Sequence, residues 1–220
     1  VRLFGGIGAG AGLGGEWRLA CRATAAHAAV EIAGASAARL EPDGLIARTF
    51  GRRFAAGPRT VSVAREEADD ALWLQGEHDG YRERFGLVVS RRLRLARDGR
   101  DLRGEDTLSA PDAAARARFD RAAKAAGGVP FHVRFHLGPG VGATAEAGGA
   151  AAALTLPDGA RWRMRADGGA LSVTESVRLD DVAGLARPGL QLVVSGRAEA
   201  YWGRVTWAFW EEAPPPRRLD

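Results

Sequence analysis

Four histidines, one tyrosine of a turn and several arginines have the types and spacing that could do chemistry near neutral pH. In Phe131 to Leu137 (FHVRFHL), apolar residues at Phe131, Val133, Phe135 and Leu137 alternate with His132, Arg134 and His136. A period of two sends alternate side chains to opposite faces of a strand, so two imidazoles and a guanidinium share one face. Imidazoles move protons near neutral pH, and a guanidinium forks a carboxylate or sulfate. A solvated outer face has the same composition, and both readings stand from sequence alone. His78 and Tyr81 lie in an HDGY turn whose Asp and Gly also suit a strand entry. Arg91, Arg92 and Arg94 follow on a strand, either along the path of an acidic polymer or as hydrated positions that discourage sheet aggregation. His27 stands alone before a short alternating run, where a histidine is usually structural. Glu105 and Asp106, one step after Gly104, read as turn residues. Of the late aromatics, Trp207 and Phe209 share a face with Val205 and are expected in the core, whereas Trp210 on the other face could stack on a sugar ring.

The elements that must position these groups are mostly strands. The stretch His78 to Leu108 reads as a hairpin: Leu87 to Ala96 alternates, Asp98-Gly99 supplies a tight turn, and the pattern resumes at Leu102. Short runs at Ala28 to Ile32, Leu45 to Phe50, Thr60 to Arg65 and Ala71 to Gly76 precede it. Others follow at 151–156, 161–166, 171–177, 190–195 and 205–210, with PDG and DGG turns between them. This many strands must curl or stack, so the chain is expected to be all-β, an antiparallel sandwich of two sheets. The one helical window is Pro111 to Gly128, with Phe119 as its only large apolar anchor; it is expected to be a short surface helix or a disordered insert. Residues 1–16 read as a Gly-rich lead-in with a truncated strand, 17–210 as the β domain and 211–220 as a disordered tail. The lead-in holds a GxGxxG at Gly10, Gly12 and Gly15, but no strand–helix–strand unit surrounds it, and Trp17 to Cys21 reads as strand-like, so a phosphate cradle is not expected.

Composition narrows the function classes. No apolar run approaches the roughly 18 residues of a membrane span. Val1 and the lack of a basic segment before an apolar core suggest a fragment or processed piece with no signal peptide in this chain. One cysteine, Cys21, excludes an internal disulfide and a multi-cysteine metal cluster. Net charge is +4, with Lys124 the sole lysine, so the cations are guanidinium groups suited to forking carboxylates, sulfates and phosphates. Nucleic acid is not expected, because stacking aromatics interleaved in a basic groove and reading motifs are missing.

Six strings in order, RATAAHAAV, HDGYRERFGLVVSRRLRL, DGRDLRGEDTL, FHVRFHLGPGV, LPDGARWRMRADGGALSVTESV and QLVVSG, make the chain resemble the heparinase II/III-like polysaccharide lyases over about residues 17 to 210. The resemblance is to the β-rich carboxy-terminal part, which in those enzymes follows an α/α toroid of helices, with substrate in the cleft between. It implies β-elimination on a uronic-acid polysaccharide such as heparin or heparan sulfate, in the periplasm or outside the cell. By the resemblance, the acid Tyr and the neutralising Asn belong to the toroid and a catalytic His to a strand before Val1, so no catalytic residue is assigned here. The substrate-cleft candidates are His27, His78, Tyr81, Arg91, Arg134 and His136. The resemblance also offers zinc, with His27 as an imidazole ligand; no other cofactor is expected. Two departures, Val89-Ser90-Arg91 where His-Arg-Arg is usual and Gly138 where FHLHP has a second His, point to altered substrate choice or lost activity. The alternative reading is a non-catalytic module that binds anionic carbohydrate or packs against other domains.

Overall fold

The computed structural model describes residues 3–10, 13–42, 44, 53–146, 148–180 and 183–213. In chain order the first strands are β1 (Phe4–Gly5), β2 (Val30–Ile32), β3 (Arg39–Leu40), β4 (Phe54–Ala56), β5 (Val61–Glu67), β6 (Ala71–Tyr81), β7 (Leu87–Ala96) and β8 (Asp101–Ser109). They continue as β9 (Val129–Leu137), β10 (Gly142–Ala145), β11 (Ala151–Thr155), β12 (Arg161–Asp167), β13 (Ala170–Asp180), β14 (Leu185–Ala198) and β15 (Trp202–Glu211). They form two stacked antiparallel sheets, as the strand pattern predicts. The larger runs β10-β11-β12-β15-β8-β7-β6-β5; the smaller runs β1-β9-β14-β13, with β2 also on β9; β3 and β4 pair by themselves. The expected strand at Leu45 to Phe50 lies outside the described residues.

Strand β9 shows why the sheets stack. Phe131, Val133 and Phe135 are fully buried on its inner face, each burial contributing about 1.5–3 kcal/mol. The Phe135 ring lies edge-on to Trp207 at 4.7 Å and to Phe209 at 5.2 Å between ring centres, closing the gap between sheets. The small sheet is sewn from distant pieces: Phe4 pairs with Leu137, Val30 with Val133, and Val194 with Val133 from the other side.

The hairpin of β7 and β8 is present, with Gly99 at φ +72° in its turn. Two local expectations are corrected. First, Gly104 to Asp106 is uninterrupted strand within β8, because the bare Cα of Gly104 lets the Trp207 indole lie against it: a Cβ there would sit 2.1 Å from the ring. Second, Gly15–Ala20 is a helix rather than strand-like, with Glu16 in its first turn and Arg18 in its last, each favourable to the helix dipole. The insert, expected as a short surface helix or a disordered stretch, is the helix Ala113–Ala123, whose N-cap Asp112 accepts from the Ala115 N–H at 2.9 Å. Its Ala115 and Phe119 are buried, Ala122 and Ala123 pack against the same core, and Phe119 meets Tyr201 at 5.4 Å, which docks the helix. Glu211, expected in the tail, instead closes β15, and residues 214–220 lie outside the described residues.

A charged unit lies inside the sandwich. Asp106 has no exposed surface. Its carboxylate accepts from Arg91 Nε at 2.6 Å, from Arg91 Nη2 at 3.0 Å and from Trp207 Nε1 at 2.8 Å. Arg91 also donates to the Ala28 carbonyl, tying the large sheet to the segment that leads into β2.

Candidate functional site

The outer face of the small sheet carries the imidazole row. The ladder sets His132 beside Glu31 and Ser195, and His136 beside Gln191. Arg134 donates from Nε to Glu31 Oε2 at 2.7 Å and lies 3.5 Å from Gln191 Oε1 through Nη1. Glu31 is buried, so this ion pair is screened from water on one side and fixes the guanidinium across the row. His132 Nδ1 is 3.0 Å from the Ser195 hydroxyl.

His136 is buried under the segment Thr24–Ala26. Its Nε2 is 2.7 Å from the Ala25 carbonyl, which can only accept, so Nε2 carries the proton and Nδ1 accepts from the Ser176 hydroxyl at 2.8 Å. Burial lowers its pKa, the Ala25 bond opposes that, and Arg134 and His27 add to the lowering. The side chain is thus neutral and fully bonded. His27 is exposed and donates from Nε2 to the Cys21 carbonyl at 2.8 Å; a Cβ at Gly6 would fall 3.0 Å from its Nδ1.

The remaining candidates are elsewhere. His78, half-buried on β6, has its pKa lowered by burial against the raising effect of Asp79, and its Nδ1 accepts from the Gly80 N–H at 3.2 Å. Tyr81 is not at a cleft edge. It is core, 1% exposed, with its hydroxyl 2.8 Å from the Val30 carbonyl and its pKa pushed up to about 12 by burial. Arg91 does not line a polymer path either, because Asp106 holds it on the inner face. The structure therefore gathers His27, His132, Arg134 and His136 on one side and leaves His78, Tyr81 and Arg91 to the other sheet.

Zinc does not fit the described residues. Zinc takes about four ligands, and among the described residues no three His, Cys, Asp or Glu side chains converge. Both His136 nitrogens are bonded, and Glu31 is held by Arg134.

Sequence reasoning missed Glu31, Ser176, Gln191 and Ser195, the groups that orient the row. Only pairing across the sheet reveals them, since they come from β2, β13 and β14. In this row His132 Nε2 and His27 Nδ1 are the ring nitrogens without a protein hydrogen bond among the described residues. Chemically the face can present a fixed guanidinium and two imidazoles to an anion, with little free acid or base.

The two lowered imidazoles set a pH dependence. The unfolded chain takes up these protons near the ordinary value of 6.5, before the folded chain does. Stability they confer is complete above that value and drains as pH falls below it. The urea midpoint is expected to drop between about pH 8 and about pH 5.5, and His136→Gln is expected to flatten the drop. An unchanged slope in the variant would remove His136 from this account.

The family profile "Heparinase II/III-like, C-terminal" matches residues 2–208. FtsZ-localized protein C of Caulobacter vibrioides is 33% identical over 193 residues, covering 86% of this chain and 31% of that protein. The chain thus spans about a third of the length of the curated relative it matches. A solved heparinase III gene product superposes with TM-score 0.66 at 11% identity, over 96% of this chain and 28% of that one. Heparan sulfate lyase HepC from Pedobacter heparinus gives 0.62 at 10% identity, over 91% of this chain and 27% of that one. These structures share the fold. No helix among the described residues is long and apolar enough to cross a membrane. With its two-sheet architecture and a family match along nearly its whole length, the chain belongs to the heparinase II/III-like family as its carboxy-terminal β domain.

Proposed function

We propose that this domain is the substrate-facing β half of a polysaccharide lyase acting on a uronic-acid-containing polysaccharide, in the periplasm or outside the cell. The observation that carries the reading is the fixed row of Arg134, His132 and His27 on the outer face of the small sheet, in a chain of this family. In β-elimination a base takes the proton alpha to the uronate carboxylate, a C=C bond forms, and the glycosidic C–O bond breaks as an acid protonates the leaving oxygen. Arg134 would hold an anionic group of the polymer, and His132 and His27 would border it. With His136 and Tyr81 committed to structural bonds, the acid would come from an upstream α/α toroid and the catalytic histidine from a strand before Val1, as the family resemblance implies. An uncovered apolar patch supports packing against such a domain: Val61, Val63, Leu74 and Leu95 are 64%, 69%, 39% and 37% exposed where the large sheet extends past the small one.

The test is to express the domain with its native upstream sequence and follow the ultraviolet absorbance of unsaturated uronate on heparin, heparan sulfate and other uronate polymers. Activity that Arg134→Gln lowers by about tenfold is expected, since a charge-assisted contact is lost. No absorbance rise on any uronate polymer would overturn the lyase reading.

A second reading is favoured by the 33% identity to FtsZ-localized protein C, far above the 10% and 11% to the lyases. On it, the domain is a non-catalytic packing or binding module of a protein placed with FtsZ. Co-localisation of a fluorescent fusion of the longer protein with FtsZ, together with no lyase activity, is its expected result. A fusion recovered in the periplasm would exclude it.

A further inference from the structure

The outer face of the large sheet bears a second cluster that the reading above leaves unused. The ladder aligns Arg165 of β12, Ala208 of β15, Arg103 of β8, Arg94 of β7 and Trp73 of β6 in one row across five strands. At about 4.8 Å per strand the row spans roughly 19 Å. Together with Arg92 and Trp210 these residues line an open concavity of about 590 Å³ with the small residues Thr206 and Ala208 in its floor.

The arginines are not alike. Arg94 is tied to Asp70 at 2.6 Å and Arg103 to Asp101 at 2.9 Å. Arg92 and Arg165 are exposed, and neither has a carboxylate partner among the described residues. Arg92 instead lies over the Trp73 ring at 5.0 Å. Of the two carboxylates in the lining, Glu105 is held by Arg204, which leaves Asp167 against the unpaired guanidiniums. The balance is positive, and tryptophan rings stand at both sides of a small-residue floor. The half-buried indoles of Trp73 and Trp210 line the concavity and offer apolar ring surface to a pyranose, and guanidiniums without a carboxylate partner among the described residues offer bidentate donors to its carboxylate or sulfate.

We infer that this concavity binds an anionic saccharide chain, laid across the strands, on the sheet face opposite to the imidazole row. Trp73 and Trp210 contact sugar rings, and Arg92 and Arg165 hold the charged groups. The inference rests on this surface alone, so it stands or falls separately from the lyase reading.

The test is calorimetric titration of the 220-residue chain with four probes: a heparin oligosaccharide, a hyaluronan oligosaccharide, dextran and polyphosphate. Saturable, salt-sensitive binding of heparin or hyaluronan is expected, and these two arms distinguish sulfate from carboxylate as the group held. Dextran is expected not to bind. R92Q combined with R165Q is expected to weaken binding by at least about tenfold with the thermal midpoint unchanged, because Arg92 and Arg165 are exposed, and W73L is expected to weaken binding by about threefold to tenfold. Arg59→Gln, at an exposed arginine outside the lining of the concavity, is expected to leave the affinity as it was. The inference is overturned if neither saccharide binds or if the double variant binds like the parent. It is likewise overturned if polyphosphate matches the saccharides and W73L changes nothing, since charge alone would then account for binding.

Discussion

Asp106→Ala is expected to cost the fold about 3–5 kcal/mol, the usual penalty for removing one partner of a buried ion pair. The carboxylate has no exposed surface and receives three hydrogen bonds, two from Arg91 and one from the Trp207 indole. Without it, a guanidinium that is 22% exposed in its side chain keeps only the Ala28 carbonyl and loses its counter-charge, and the Trp207 indole N–H loses its acceptor. The measurement is urea unfolding, read as a lower midpoint with the slope preserved. Adding Arg91→Met to Asp106→Ala is expected to restore part of the loss, because an apolar pair of similar size leaves no stranded charge. A double variant as unstable as the single one would show that the pair does not act as a unit.

Gly104→Ala is expected to destabilise by about 3 kcal/mol or more, at the upper end of overpacking effects. The new methyl carbon would fall 2.1, 2.3 and 2.5 Å from three indole atoms of Trp207. The indole cannot step aside cheaply, since its N–H is bonded to Asp106 and its ring meets Phe135 at 4.7 Å. The substitution should also shift the tryptophan emission as the indole leaves its site. Trp207→Leu in the Gly104→Ala background makes room for the methyl group and is expected to reduce the cost of that methyl; an equal cost in both backgrounds would put the strain elsewhere.

The architecture was legible because period-two alternation survives burial on one face. The stretch FHVRFHL reads as it folds, with Phe131, Val133 and Phe135 inward and His132, Arg134 and His136 outward. The same rule carried through Gly104 would have placed Asp106 on the inner face with Arg91, but a glycine beside two acids looks locally like a turn, and only the Trp207 partner 103 positions along from Gly104 explains it. The helix at Gly15–Ala20 was missed because six residues with three glycines just before them give little periodicity to read. The candidate site was legible only in its β9 part. Tyr81 and Arg91 are polar by type, and nothing in their local strings says that a carbonyl of Val30 and a buried carboxylate await them.

The small sheet also fixes when this domain can fold. Its central strand β9 receives β1 and β2 on one edge, yet Val30 meets Val133 only after roughly a hundred further residues have been made. At about 5–20 residues per second, a nascent chain would carry β1 and β2 unpaired for on the order of 5–20 s. Pairing over such sequence distances slows folding, to the millisecond-to-second range usual for sandwiches of this kind. Strands β1 and β2 are therefore a late-closing seam, exposed to proteases and chaperones until β9 emerges, while the locally connected β5-to-β8 meander can assemble ahead of it.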